Sequence, residues 1–468
     1  MPEDSAQNPE DEFREMLNKF LSGNGDFDPA RLAGAAGLPA DPEAIRNLIA
    51  QLQSAMQYGG EGINWNLTLD QATALAAKDQ LATSPAERSS LEQAFHVAAL
   101  WLDESTYVSE LTSAPRLMSR TEWIAATMPI WTQLAEPVAL RIADALTQVL
   151  RDQAPDELSG MLEGASKLMR NVGGTLFAMQ LGQVVGQLAG DVVSGGDIGI
   201  PLLGATGNPA AQGGQQAAIL PQNVASFGSG LDIEPNQVQL YLAVRELAHA
   251  RLFRHAKWLG LQLLGSITEF AEGIHIDTDR LEQLATDFDP SDPEELRKAM
   301  QSGILLSPRS PSQLAALSRL ETSLALIEGW VDVVTAQATV RLPKSSSIAE
   351  TVRRRRASGG PAESAFASLV GLELRPRRLR EAAAMWQKIT DESGEEKRDS
   401  LWSHPDLLPR VEDIFDPSQI IARLAAPEAA ADDIDRAIED LLNDVGGDRP
   451  REDDPGGDRG DSPEDRTG

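Results

Sequence analysis

The residues best suited to chemistry in this sequence are Glu246 and His249, three positions apart, with Arg245 beside the glutamate. Glu-x-x-His is the second half of an HExxH pattern. In the full pattern two imidazoles on successive helix turns point at one metal, and the glutamate serves as general base for a metal-bound water. One class of zinc peptidases takes its third ligand from a glutamate within ExxxD on a second helix, whose aspartate supports a ligand by a hydrogen bond. Glu328-Gly329-Trp330-Val331-Asp332 supplies that spacing. Each fragment alone is common, and Glu-x-x-His is more often an ordinary polar pair on a helix.

The departure lies at position 245. Arginine stays protonated in a protein and cannot ligate zinc, which leaves two motif side chains where catalytic zinc normally has three protein ligands. Two resolutions stand open. In the first, another side chain fills the gap. His255 is the leading candidate, although six positions from His249 is about 600° of rotation, leaving the two about 120° apart on a regular helix. His255 joins the site only if the helix ends or bends near Arg254. His275 and His96 carry no spacing argument, and His96, in Phe95-His96-Val97, reads as a core or capping residue. In the second there is no metal. Arg245 lies one turn from His249 and points toward Glu328 and Asp332 if their helices pack face to face. A guanidinium pairs bidentately with a carboxylate, replacing the cation.

Those residues need helices to hold them. Apolar residues recur every three or four positions from about 40 to 190, and Asp41-Pro42-Glu43 and Ser84-Pro85-Ala86-Glu87 are good helix starts. Gly182, Gly186 and Gly190 fall on one helix face, where the glutamines at 180, 183 and 187 favour close packing in a soluble protein over membrane insertion. Residues 194–235 are irregular and glycine-rich, expected as a long loop with short strands. A helical pattern resumes from Val238 to about Ile274, a connector at Asp289-Pro290 starts another helix, and residues 311–340 form a further one. The tryptophans read as core aromatics and His404, before Pro405, as a loop anchor.

The stretch Leu240 to Phe253 with Trp258-Leu259 resembles an actinobacterial family of zincin-like metallopeptidases. The resemblance extends to Leu326 to Asp332, Ile63-Asn64-Trp65-Asn66-Leu67, Trp101-Leu102-Asp103, Ser119 to Trp123 and the loop Ser194 to Pro201, spanning most of 60–415. It implies a mainly α fold: a zincin-like helical core with a few short strands and a long Gly-rich loop. It also implies a hydrolase in which Glu246 is the general base, His249 and Glu328 bind zinc, and Asp332 supports them. The alternative of a different class is a catalytically inactive scaffold, binding another protein through the Gly-rich loop or an acidic tail, with Arg245 in place of zinc.

Composition narrows the field. The formal charge of −30 argues against a nucleic-acid partner, which would need a basic surface. Arg353 to Arg356 reads as a solvated helix end or an ion-pair partner for this acidic body. There is no cysteine, no GxxxxGK[ST] loop, no Gly-x-Ser-x-Gly elbow and no secretory signal at Met1-Pro2-Glu3-Asp4. A cytoplasmic protein without a membrane span is expected, its substrate or partner a peptide or protein. The expected organisation is an N-terminal arm (1–40), a body (41–425) and an acidic tail (426–468). The body comprises a helical part (41–190), a Gly-rich region (191–237) and a motif-bearing helical part (238–425). Residues 432–468 hold fourteen acidic and five basic side chains, which points to disorder.

Overall fold

The computed structural model describes residues 63–153, 159–203, 216–273, 309–357 and 378–426. The arm at 1–40, the helix start at Asp41, the Asp289 connector, His275 and the tail beyond 426 lie outside the described residues. Two units are distinguished, Met1–Pro417 and Ser418–Gly468; all that follows concerns the first.

The chain is mainly helical. Helices α1 (Trp65–Ala77), α2 (Pro85–Asp103), α3 (Arg120–Gln153) and α4 (Ser159–Asp191) make up its first half. The start of α2 is the capping box its sequence predicts: the Ser84 hydroxyl accepts from Glu87 N–H at 3.2 Å, and Glu87 accepts from Ser84 N–H at 2.9 Å. The glycine face of α4 lies against α1. A Cβ at Gly182 would stand 2.8 Å from the Thr68 carbonyl oxygen, and one at Gly186 3.1 Å from that of Ala72. Gly190 meets no such neighbour, so only two of the three glycines serve the close approach.

Three elements are short: strand β1 (Arg116–Leu117), between α2 and α3, and, after α4, strand β2 (Ala218–Ile219) and helix α5 (Pro221–Gly228). The strands pair in parallel, Arg116 with Ala218 and Leu117 with Ile219, and Ser194 bridges to Ile219 from the other side. This corrects two expectations. A strand interrupts the part read as helical, and a helix begins at Pro221 inside the stretch read as loop and short strands, where β2 does fall. Two-residue strands are too short to carry an alternating pattern.

The centre of the core is formed by α6 (Pro235–His255) and α8 (Pro311–Ala338), with α7 (Lys257–Glu272) following α6 after a break at Ala256. Every residue from Tyr241 to Phe253 and from Ser323 to Thr335 is buried. Helices enclosed on all sides show no one-sided apolar stripe, and their charged residues must find partners inside. Helix α6 packs between α2 and α8, and α8 also meets α7 and α10 (Leu379–Ser393). Gly329 admits α10, whose Ala382 carbonyl carbon would lie 2.8 Å from a Cβ placed there. Helices α9 (Ser345–Ala357), α11 (Glu395–Ser400) and α12 (Val411–Phe415) complete the unit.

A buried ion pair anchors α8. The Asp399 carboxylate accepts from Trp330 Nε1 (2.8 Å), Thr106 Oγ1 (2.6 Å) and Tyr107 N–H (2.8 Å), and from its neighbour Arg398 through Nε (2.7 Å) and Nη2 (3.1 Å). Arg398 also donates to the Ser105 carbonyl and to Gln337, both at 2.8 Å. Beside this network Trp386 stacks on Trp402 at 5.4 Å, and Trp330 meets Trp402 edge-on. His96, read as a core or capping residue, is exposed on α2 because its helix face turns to solvent. Among the described residues no helix is long and apolar enough to cross a membrane.

Candidate functional site

Helix α6 carries Arg245 and His249 one turn apart and directs them at α8, where Glu328 and Asp332 are likewise one turn apart. Arg245 Nη2 donates to Glu328 Oε2 in a fully enclosed ion pair. Arg245 Nη1 lies 3.9 Å from Asp332 Oδ1. His249 Nε2 is 3.0 Å from Glu328 Oε1, while its Nδ1 sits 3.0 Å from the Arg245 carbonyl oxygen.

The arginine run on α9 reaches the same place. Arg356 Nη1 pairs with Glu328 Oε1 at 2.6 Å, and Arg353 donates through Nε and Nη2 to Asp332 Oδ2 at 3.0 and 2.9 Å. Arg355 Nη2 lies 3.3 Å from Asp197 Oδ2, and Arg356 Nη2 donates to the Asp197 carbonyl at 2.8 Å. Of the two readings of Arg353 to Arg356, all four arginines take the ion-pair one; three turn inward to this cluster, and Arg354 pairs with Glu350 at the surface. Both oxygens of Glu328 are thus held by guanidinium groups.

The charges respond to this enclosure. Burial opposes ionisation of Glu328, but Arg356, His249 and Arg245 outweigh it and hold the carboxyl well below the usual carboxylate range. Burial also pushes the His249 imidazole down, against the pull of Glu328. Burial would lower Arg245 as well, yet Glu328 foremost raises it, so the guanidinium keeps its proton.

Glu246 points elsewhere. Its carboxylate accepts from Gly196 N–H at 2.7 Å and from Ala218 N–H at 2.8 Å, so it fastens the Ser194–Ile200 loop and β2 to α6. Burial pushes its carboxyl up to about 7, opposed by those two backbone donors and by Ser194. The loop needs its glycines to lie this close. A Cβ on Gly196 would stand 2.7 Å from His249 Cβ; one on Gly199, whose φ is +79°, would stand 3.1 Å from Glu328 Oε1.

The six residues expected at the site do not all meet. Arg245, His249, Glu328 and Asp332 do, and Glu246 adjoins them while facing the loop backbone. His255 does not: α6 ends at this residue, as its recruitment would require, but the side chain is exposed whereas the cluster is buried. Sequence reasoning left out Arg356, Arg353 and Asp197 as site residues. The signals were the run of four arginines and the single acid within the glycine loop.

The zincin-like metallopeptidase family matches residues 63–421, a stretch that holds the whole cluster. The chain belongs to this family. Among solved structures it resembles a proposed hydrolase with a novel fold from Chloroflexus aurantiacus, at a TM-score of 0.51 and 19% identity. The likeness covers 78% of this chain and 99% of that one, and it speaks for a shared fold alone. No curated protein matches the chain.

Members of a zincin-like family invite the question of zinc. The ion would need three protein ligands. His249 Nε2 and Glu328 Oε1 are close enough to face one cation, but among the described residues no group of three His, Cys, Asp or Glu side chains could hold a metal. The guanidinium groups of Arg245 and Arg356 already engage both oxygens of Glu328. Both oxygens of Glu246 accept from backbone N–H groups, which holds this carboxylate against the loop and β2 rather than toward Glu328. The residues present do not fit a catalytic zinc.

Proposed function

We propose that this zincin-like protein has exchanged its metal for guanidinium and works as a peptide- or protein-binding module. The observation that carries the reading is the Arg245–Glu328 pair at the motif's own positions. A fixed cation there neutralises the buried carboxylate permanently, which a zinc ion would do only while bound. The Ser194–Ile200 loop then acts as a cover over the motif, rather than as the presenting surface that its glycine content suggests. The lack of cysteine is compatible with a cytoplasmic setting.

The second reading is a metal-dependent peptide-bond hydrolase, favoured by family membership and by the 3.0 Å approach of His249 Nε2 to Glu328 Oε1. It would require Glu246 to leave Gly196 and Ala218 and the arginines to leave Glu328. Zinc titration separates the two. Under the guanidinium reading, the parent chain binds no zinc, and the combined Arg245→His, Arg356→Ala variant acquires it. Zinc-dependent cleavage of peptides by the parent, abolished in Glu246→Gln, would overturn the proposal.

A further inference from the structure

Beside Arg245 lies a small, partly enclosed cleft bounded by Ser194, Asp197, Phe227, Arg245, Arg355 and Arg356. Its enclosed part has room for roughly one water. Two buried donors of its walls, Arg245 Nη1 and Arg356 Nε, have no hydrogen-bond partner. Arg245 is itself more than nine-tenths buried. An unpaired buried guanidinium N–H is costly, so two such donors on residues beside one cleft call for an acceptor.

The surrounding charges leave room for an anion. Four guanidiniums, Arg245, Arg353, Arg355 and Arg356, face three carboxylates, Asp197, Glu328 and Asp332. Asp197 is further committed to the Val193 N–H at 3.0 Å, and Glu246 to the loop backbone. The remaining walls are apolar, with Phe227 under the Arg355 guanidinium at 5.9 Å and Leu242 and Val352 alongside. A small basic recess with apolar walls suits a carboxylate oxygen carried on a hydrocarbon.

We propose that this cleft binds the carboxylate of a ligand whose adjoining carbon chain is apolar, such as the C-terminus of a peptide ending in leucine or valine. A small free carboxylic acid offers the same chemistry. The inference rests on the reading above in one respect, that Arg245 remains the partner of Glu328.

The test is calorimetric titration of the full chain at neutral pH with an acetylated pentapeptide ending in leucine, the same peptide as its C-terminal amide, isovalerate and inorganic phosphate. The free-carboxylate peptide should bind, and the amide at least about tenfold more weakly, a difference that requires no variant. Arg355→Ala, at the outer wall, should weaken the peptide by a similar factor. Isovalerate binding as tightly as the peptide would assign the cleft to small acids and still support the carboxylate. Binding of phosphate alone, equal binding of acid and amide, or no binding at all would overturn it. Zinc content measured on the same sample separates the two proposals. A metal-free protein that ignores carboxylates sinks the cleft alone, whereas a zinc protein that binds the peptide after chelation sinks the guanidinium reading alone.

Discussion

Two buried arginine–carboxylate clusters meet helix α8, one at Glu328 and Asp332 and the other at Trp330 and Gln337, and they are built on opposite principles. Around Asp399 every oxygen is taken by neutral and charged donors together, and Arg398 spends its donors on Asp399, Gln337, Thr390 and the Ser105 carbonyl. Around Glu328 two guanidiniums and an imidazole crowd one carboxylate, while donors of Arg245 and Arg356 go unpaired. The first is closed and structural. The second leaves donors without partners beside the Glu-x-x-His and ExxxD positions. Buried ion pairs contribute little net stability and are costly to break, so the closed cluster should be the more sensitive of the two to loss of one partner.

The largest effect should come from breaking the closed cluster. Asp399→Ala strands Arg398, which is fully buried, together with Trp330 Nε1 and Thr106, and should cost about 3–5 kcal/mol in denaturant unfolding. A loss below about 1 kcal/mol would mean that the network does not hold α8.

Next comes the pH dependence set by Glu246. Its carboxyl is raised from 4.5 to about 7 by burial, so the folded state holds this proton more tightly than the unfolded chain. That contribution is complete below about 4.5 and is lost as pH rises through 7, a change of at most about 3 kcal/mol. Glu246→Gln should flatten the profile in that window. The lowered Glu328 works in the opposite sense: its stabilisation is present above 4.5 and fades as pH falls further. The His249 imidazole, which burial pushes down, adds stability as pH rises toward 6.5, so the test is the difference between parent and Glu246→Gln. That difference should fall between about 4.5 and 7, and a flat one would contradict the raised Glu246 carboxyl.

Gly196→Ala drives a methyl into His249, and overpacking of this kind costs about 1–3 kcal/mol. Thermal melts should show it, with no comparable loss for Gly190→Ala, where the added methyl meets nothing. The smallest effect belongs to the open cluster. Arg245→Met leaves Glu328 with Arg356 and His249, so it should cost only about 1–2 kcal/mol, well short of Asp399→Ala. Equal costs would erase the distinction between the two clusters.

Much of the fold is legible in the residues. Ser84-Pro85-Ala86-Glu87 announces its helix because the cap is local, and the glycine spacing in α4 announces a close helix neighbour without saying which. Helical spacing also puts Arg245 with His249, and Glu328 with Asp332, on common faces. Partner choice at long range is less visible. Nothing near Arg356 says that α9 turns back to bring it to Glu328, and nothing near Asp197 says that it meets Arg355. His255 illustrates the converse: the helix does end where its recruitment would require, yet the chain turns away at Ala256, whose ψ of 69° lies outside the helical range.

The central claim is that guanidinium has taken the place of metal beside Glu328. Elemental analysis of the full chain, purified without chelator and dialysed against zinc-containing buffer, tests it directly. The account predicts no stoichiometric zinc and no difference between the parent and His249→Ala. One zinc per chain in the parent, lost in His249→Ala, would contradict it.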